Sequence, residues 1–81
     1  MEGSLGQRRI YIQHLDGDRC IESWTLICDS SVAAMRSSDR VMAMTGGAYR
    51  QNICVRQEIM DLDTLERWIR MDGPLGWQAQ S

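Results

Sequence analysis

Hydrophobic and polar positions alternate in the first third of the chain and take a wider period in the last third. From Arg8 to Leu15, Ile10, Ile12 and His14 fall on one face of an extended segment and Arg9, Tyr11 and Gln13 on the other, which predicts a strand. Asp16-Gly17-Asp18 comes next, and Asp-Gly favours a tight hairpin turn because both central residues tolerate positive φ. A second strand is predicted from Arg19 to Cys28. A two-residue turn at Asp16-Gly17 sets Ile12 opposite Ile21, whereas a three-residue loop sets it opposite Glu22, so the hydrophobic pattern favours the first register.

Asp29-Ser30-Ser31 is a helix-entry cluster, and Val32 to Arg36 gives about two turns of helix before Ser37-Ser38-Asp39 is expected to end it. Arg40 to Thr45 reads as a third strand, Gly46-Gly47 as a second hairpin turn, and the stretch from Tyr49 to Met60 as containing a fourth strand with Ile53 and Val55 on one face. Met60 to Pro74 then carries the strongest helical pattern. Asp61 stands at an N-cap, and Leu62, Leu65, Trp68 and Ile69 form a stripe at helical spacing. Asp63 and Glu66 precede Arg67 and Arg70 by four residues, and Gly73-Pro74 provides the stop.

The predicted order is ββαββα. It implies a single α+β domain over residues 8–74: a four-stranded, mostly antiparallel sheet made of two β-hairpins, with two helices packed mainly on one face. Residues 1–7 and 75–81 are expected to be flexible tails. The two halves share one plan, Arg before a β-branched residue, a glycine turn and an Asp at the helix entry, which is compatible with an internal repeat. The expected core is Ile10, Ile12, Ile21, Ile27, Val41, Ile53, Val55, Leu62, Leu65 and Ile69.

With 81 residues there is room for one domain, and a chain of this size hides only about 60% of its unfolded surface, so oligomerisation is a natural support. The formal net charge is −2, and all nine basic residues are arginine. Lacking lysine, the chain has no phosphate-loop lysine, Schiff base or lysine general base. The basic excess of a typical DNA-binding domain is also missing. No signal pattern and no apolar run of membrane-spanning length stands in the sequence, and three cysteines without metal-knuckle spacing fit free thiols in a reducing cytoplasm.

Three chemistries are open to these residues. His14 with Cys20, Cys28 and Cys54 has the stoichiometry of a zinc site, but the spacing is wrong, and the one histidine lies on the opposite face from Cys20, so neither a small zinc protein nor a Cys–His nucleophile is favoured. Six arginines (Arg8, Arg9, Arg36, Arg40, Arg50 and Arg56) with Tyr11 and Tyr49 make a sheet-based nucleic-acid binder the alternative reading, against eleven acids. The leading reading rests on the second strand. In the favoured register Trp24 and Leu26 point away from the core, and with Tyr11, Met42 and Met44 they make the second sheet face apolar, as an interface is. Trp77 either docks on the body or waits for a partner. The expectation is a non-catalytic, cofactor-free interaction domain, a homodimer in solution in view of its size, acting on a protein partner as an adaptor or inhibitor of the kind mobile elements and phages encode.

Overall fold

The structure, a computed structural model, describes residues 6–44, 56–71 and 75–80. Its elements are β1 (Arg8–Asp16), β2 (Arg19–Cys28), α1 (Ser31–Met44), β3 (Arg56–Asp61), β4 (Arg67–Met71) and β5 (Trp77–Gln80). The α+β class holds, but among the described residues the order is ββαβββ, with five strands and one helix. The Gly46-Gly47 turn and the core positions Ile53 and Val55 lie outside the described residues.

All four strand pairs are antiparallel, in the order β2-β1-β3-β4-β5. Since β2 and β3 both run against β1, they are parallel to each other, and a parallel pair needs a crossover connection. That connection contains α1, which lies over the face of the sheet carrying Ile10, Ile12 and Ile59. These three and Ala34 of α1 form the buried cluster, with Trp24, Leu26, Cys28, Met35, Trp68 and Trp77 packed around it.

The β1–β2 hairpin corrects the expected register. The turn residues are Gly17-Asp18, with Asp16 opposite Arg19. Gly17 has φ +61° and Asp18 does not share the positive sign, the pattern of a turn that needs glycine at its first central position. A bulge between His14 and Leu15 then inserts Ile21 as an extra residue, so that His14 faces Glu22 and Ile12 faces Trp24. A one-residue slip sends every later side chain to the other face. Trp24 and Leu26 therefore share the covered face with Ile12, while Ile27 is 64% exposed. Of the other expected core residues, Ile10 and Ile12 are fully buried, Ile21, Val41, Leu62 and Ile69 are half-buried, and Leu65 is exposed.

The helix starts where expected, with Ser30 Oγ accepting the Ala33 N–H at 3.2 Å. It does not end at Ser37-Ser38-Asp39. Ser and Asp oppose a helix interior because their side chains compete for nearby backbone groups. Here Ser38 and Asp39 are engaged by β1, β3, β4 and β5 instead, so the helix continues to Met44 and takes in Arg40–Met44, expected as a strand.

The expected second helix is a hairpin. Asp61 does cap a turn: its Oδ1 accepts the N–H groups of Asp63 at 2.8 Å and Thr64 at 3.1 Å. After that single turn the Leu65 N–H closes on the Asp61 carbonyl at 2.7 Å, and Leu65 takes φ +67°. This left-handed residue reverses the chain, and the Asp61 N–H donates to the Glu66 carbonyl at 2.9 Å. Arg67–Met71 then alternates, with Trp68 opposite Ile59 on the covered side and Ile69 opposite Glu58 on the other. The last segment, expected as a tail, adds Trp77–Gln80 as β5, with Trp77 opposite Arg70.

Leucine is strained at a left-handed position and Leu65 buries little. Leu65→Gly is therefore expected to stabilise the domain by about 0.5–1 kcal/mol, read as a rise in the urea midpoint. A lowered midpoint would show that the Leu65 side chain matters more than its backbone strain.

Candidate interaction surface

With α1 on one side of the sheet only, the other side is uncovered among the described residues. By register its positions are Arg9, Tyr11 and Gln13 of β1, Thr25 and Ile27 of β2, Arg56, Glu58 and Met60 of β3, Arg67, Ile69 and Met71 of β4, and Gln78 and Gln80 of β5. Tyr11, Met60 and Ile69 are half-buried, and Ile27, Met71 and Leu75 are exposed. Among the described residues, two depressions of about 190 Å³ each mark this face. One is lined by Tyr11, Gln13, Glu58, Ile59, Met60 and Arg67, the other by Ile69, Met71, Leu75, Gly76, Gln78 and Gln80.

The six residues expected at an interface are divided. Tyr11 is on the open face. Trp24 and Leu26 pack beneath α1 as part of the core's margin. Met42 and Met44 are on α1, the first half-buried and the second exposed. Trp77 points to the covered side, where its Nε1–H donates to Asp39 Oδ2 at 3.3 Å. The open face's other apolar members, Ile27, Met60, Ile69, Met71 and Leu75, were not expected there. Alternation in Arg56–Asp61 and Arg67–Met71 carries the signal for Met60, Ile69 and Met71, once the second segment is read at period two.

On the covered side a polar network crosses the sheet. His14 Nε2 lies 2.6 Å from Ser38 Oγ, and Gln57 Nε2 donates to Ser38 Oγ and Asp39 Oδ1, both at 2.9 Å. Arg70 Nη1 donates to the same Asp39 oxygen at 2.9 Å. His14 also meets Trp24 edge-on at 5.1 Å between ring centres. A serine beside a histidine is the pairing of a nucleophile with its base. Both side chains here are fully buried, and the arrangement satisfies polar groups within the fold.

Burial pushes the His14 pKa below its ordinary 6.5, opposed by the charges of Glu22 on β2 and Asp39 on α1. The folded protein thus prefers neutral His14, and the unfolded chain takes the proton first. The associated stability is complete above 6.5 and is lost as pH falls below it toward the folded-state pKa. The thermal midpoint is expected to fall between pH 7.5 and 5.5, and to fall less in His14→Gln; equal falls would contradict this assignment.

Among the described residues four arginines are held by carboxylates: Arg8 by Asp61 at 3.3 Å, Arg9 by Asp63 at 2.9 Å, Arg56 by Glu58 at 2.8 Å and Arg70 by Asp39 at 2.9 Å. The Arg9 side chain and backbone N–H hold Asp63 below its ordinary carboxylate pKa. Arg8, Arg9 and Arg56 belong to the set on which a nucleic-acid surface would depend, and pairing weakens their pull on phosphate. Among the described residues no group of three or more His, Cys, Asp or Glu is placed to hold a metal ion, and Cys20 and Cys28 are free thiols. Also among them, no helix is long and apolar enough to cross a membrane.

No family model, curated protein or solved structure matches this chain.

Proposed function

We propose that this chain is a self-associating, non-catalytic protein–protein interaction domain that offers its open sheet face to a protein partner, as an adaptor or inhibitor. The observation that carries the reading is that, among the described residues, α1 covers one side of the sheet only. An antiparallel sheet normally turns a polar face to water. This one sets Tyr11, Met60, Ile69, Met71 and Leu75 on that face, interspersed with the Arg56–Glu58 pair on β3 and with Arg67, Gln78 and Gln80. Tyrosine and methionine are enriched in interface cores.

Met60→Lys combined with Ile69→Lys puts two charges at the centre of this face while leaving the covered side untouched. The double variant is expected to keep the wild-type circular dichroism spectrum and to lose a protein that the wild-type chain retains in affinity capture. Retention of the same proteins by both would exclude the open face as the binding surface.

A further inference from the structure

The helix α1 is fastened to the sheet in two unlike ways. Of its fourteen residues, Ala34 and Ser38 are buried, about one turn apart. Ala34 joins Ile10, Ile12 and Ile59 in the apolar cluster, with Met35 beside it. Ser38 and Asp39 meet a polar set instead: His14, Gln57, Arg70 and Trp77 each bond to one or both of them. Beyond Ser38 the helix has no buried side chain, and Val41 and Met42 are half-buried. The first half of α1 is therefore packed down, and the second half, residues 38–44, is mainly hydrogen-bonded down.

His14 is central to the second attachment. Gln57 Nε2 donates to Ser38 Oγ, which leaves the hydroxyl proton to point at His14 Nε2, 2.6 Å away, where a neutral imidazole accepts it. A protonated imidazole has hydrogen on both nitrogens. It would press a second N–H against Ser38 Oγ, turn the hydroxyl proton away, and place a charge on a side chain with no exposed surface. Among the described residues the groups around it are Glu22 and the Trp24 ring on β2, Gln57 on β3, and Ser38 and Asp39 on α1. Glu22 and Asp39 favour the charge, but Asp39 is shared with Arg70 of β4, and burial outweighs both.

From this cluster we propose that His14 is an acid-operated release for the second half of α1: protonation lifts residues 38–44 from the sheet while the strands stay paired. Lifting lets water reach the imidazole and the polar groups that lose their partners. The strands keep their own ladders, and Ala34 keeps the first half of the helix on Ile10, Ile12 and Ile59. A segment with few buried apolar contacts is where such local opening is expected. In acid the covered side of the sheet around Trp24, Gln57 and Trp77 becomes accessible, and the open face is unaltered.

Amide hydrogen exchange of the full chain, read residue by residue by NMR from pH 7.5 to 5 and corrected for the intrinsic pH dependence of exchange, tests the release. Protection of residues 38–44 is expected to fall below pH 6.5, by up to about 10-fold per pH unit, until the imidazole itself titrates. The chain has one histidine, so that titration is read directly on its ring protons. Protection there is also expected to stay about 10-fold or more below that of β1 and β3, since the opening is smaller than unfolding. In His14→Gln the fall disappears. Protection of residues 38–44 that is independent of pH overturns the release, as does a fall that persists in folded His14→Gln. Protection equal to that of β1 and β3 overturns it too, because the helix then leaves only when the whole domain unfolds. Should His14→Gln not fold, the wild type decides: a fall that stops before the imidazole titrates overturns the assignment to His14.

Discussion

Ile12→Ala is expected to remove about 2–5 kcal/mol from the stability of the domain, the range for truncating a fully buried isoleucine. A chain of 81 residues has about 4–12 kcal/mol in all, so the variant is close to unfolded at physiological temperature. The size of the effect comes from position. Ile12 is on the central part of β1, opposite Trp24 on one side and Ile59 on the other, and has no exposed surface. Ile27→Ala is the matching control, since its side chain is on the open face and mostly in water; it is expected to cost within about 0.5 kcal/mol in the monomer. Urea denaturation followed by tryptophan fluorescence measures both. Similar losses for the two would mean that the bulge at Ile21 is not formed and that Ile27 packs in the core.

Asp61→Ala is expected to be nearly as damaging, at about 2–4 kcal/mol. The Asp61 carboxylate is fully buried and joins three parts of the fold. Its Oδ1 holds the turn through the N–H groups of Asp63 and Thr64, and its Oδ2 accepts from Arg8 Nη1 at 3.3 Å. Alanine leaves two turn donors without their side-chain acceptor and Arg8 without its buried counterion; the half-exposed Arg8 recovers water, which holds the loss below that of a fully buried pair. Asp61→Asn keeps an oxygen for the turn and loses the charge, so it is expected to cost less than half as much. Equal effects of the two substitutions would assign the role of Asp61 to the ion pair and not to the turn.

The same aspartate shows how much is legible in the sequence. Its capping chemistry is readable there, and the structure contains that cap. Whether a cap opens a helix or only a single turn is decided by whether Leu65 to Met71 finds strands on both sides. Local signals in this segment favour a helix: a stripe at helical spacing, acid-first pairs and a terminal Gly-Pro. The pairing of β4 with β3 and β5 outweighs them, because it places Trp68 over the core and Arg70 on Asp39. Long-range pairing leaves no mark in a helical periodicity. Asp39 teaches the same lesson in reverse. It reads as a helix end, and its partners Gln57, Arg70 and Trp77 are 18 to 38 residues away. The β1–β2 hairpin is readable to within a residue at its ends, and one bulge residue, Ile21, exchanges its faces. The second face expected to be apolar carries a mixture of apolar and polar side chains. Its membership changes from Trp24 and Leu26 to Met60, Ile69 and Met71, with Tyr11 common to both.

The central claim is that this domain associates with itself, and the most direct measurement is its solution mass by light scattering after size exclusion, from high to low micromolar concentration. A mass near twice the 9.3 kDa of the chain at the upper end, declining toward one chain on dilution, is the expected result. A mass of one chain at every concentration would contradict it.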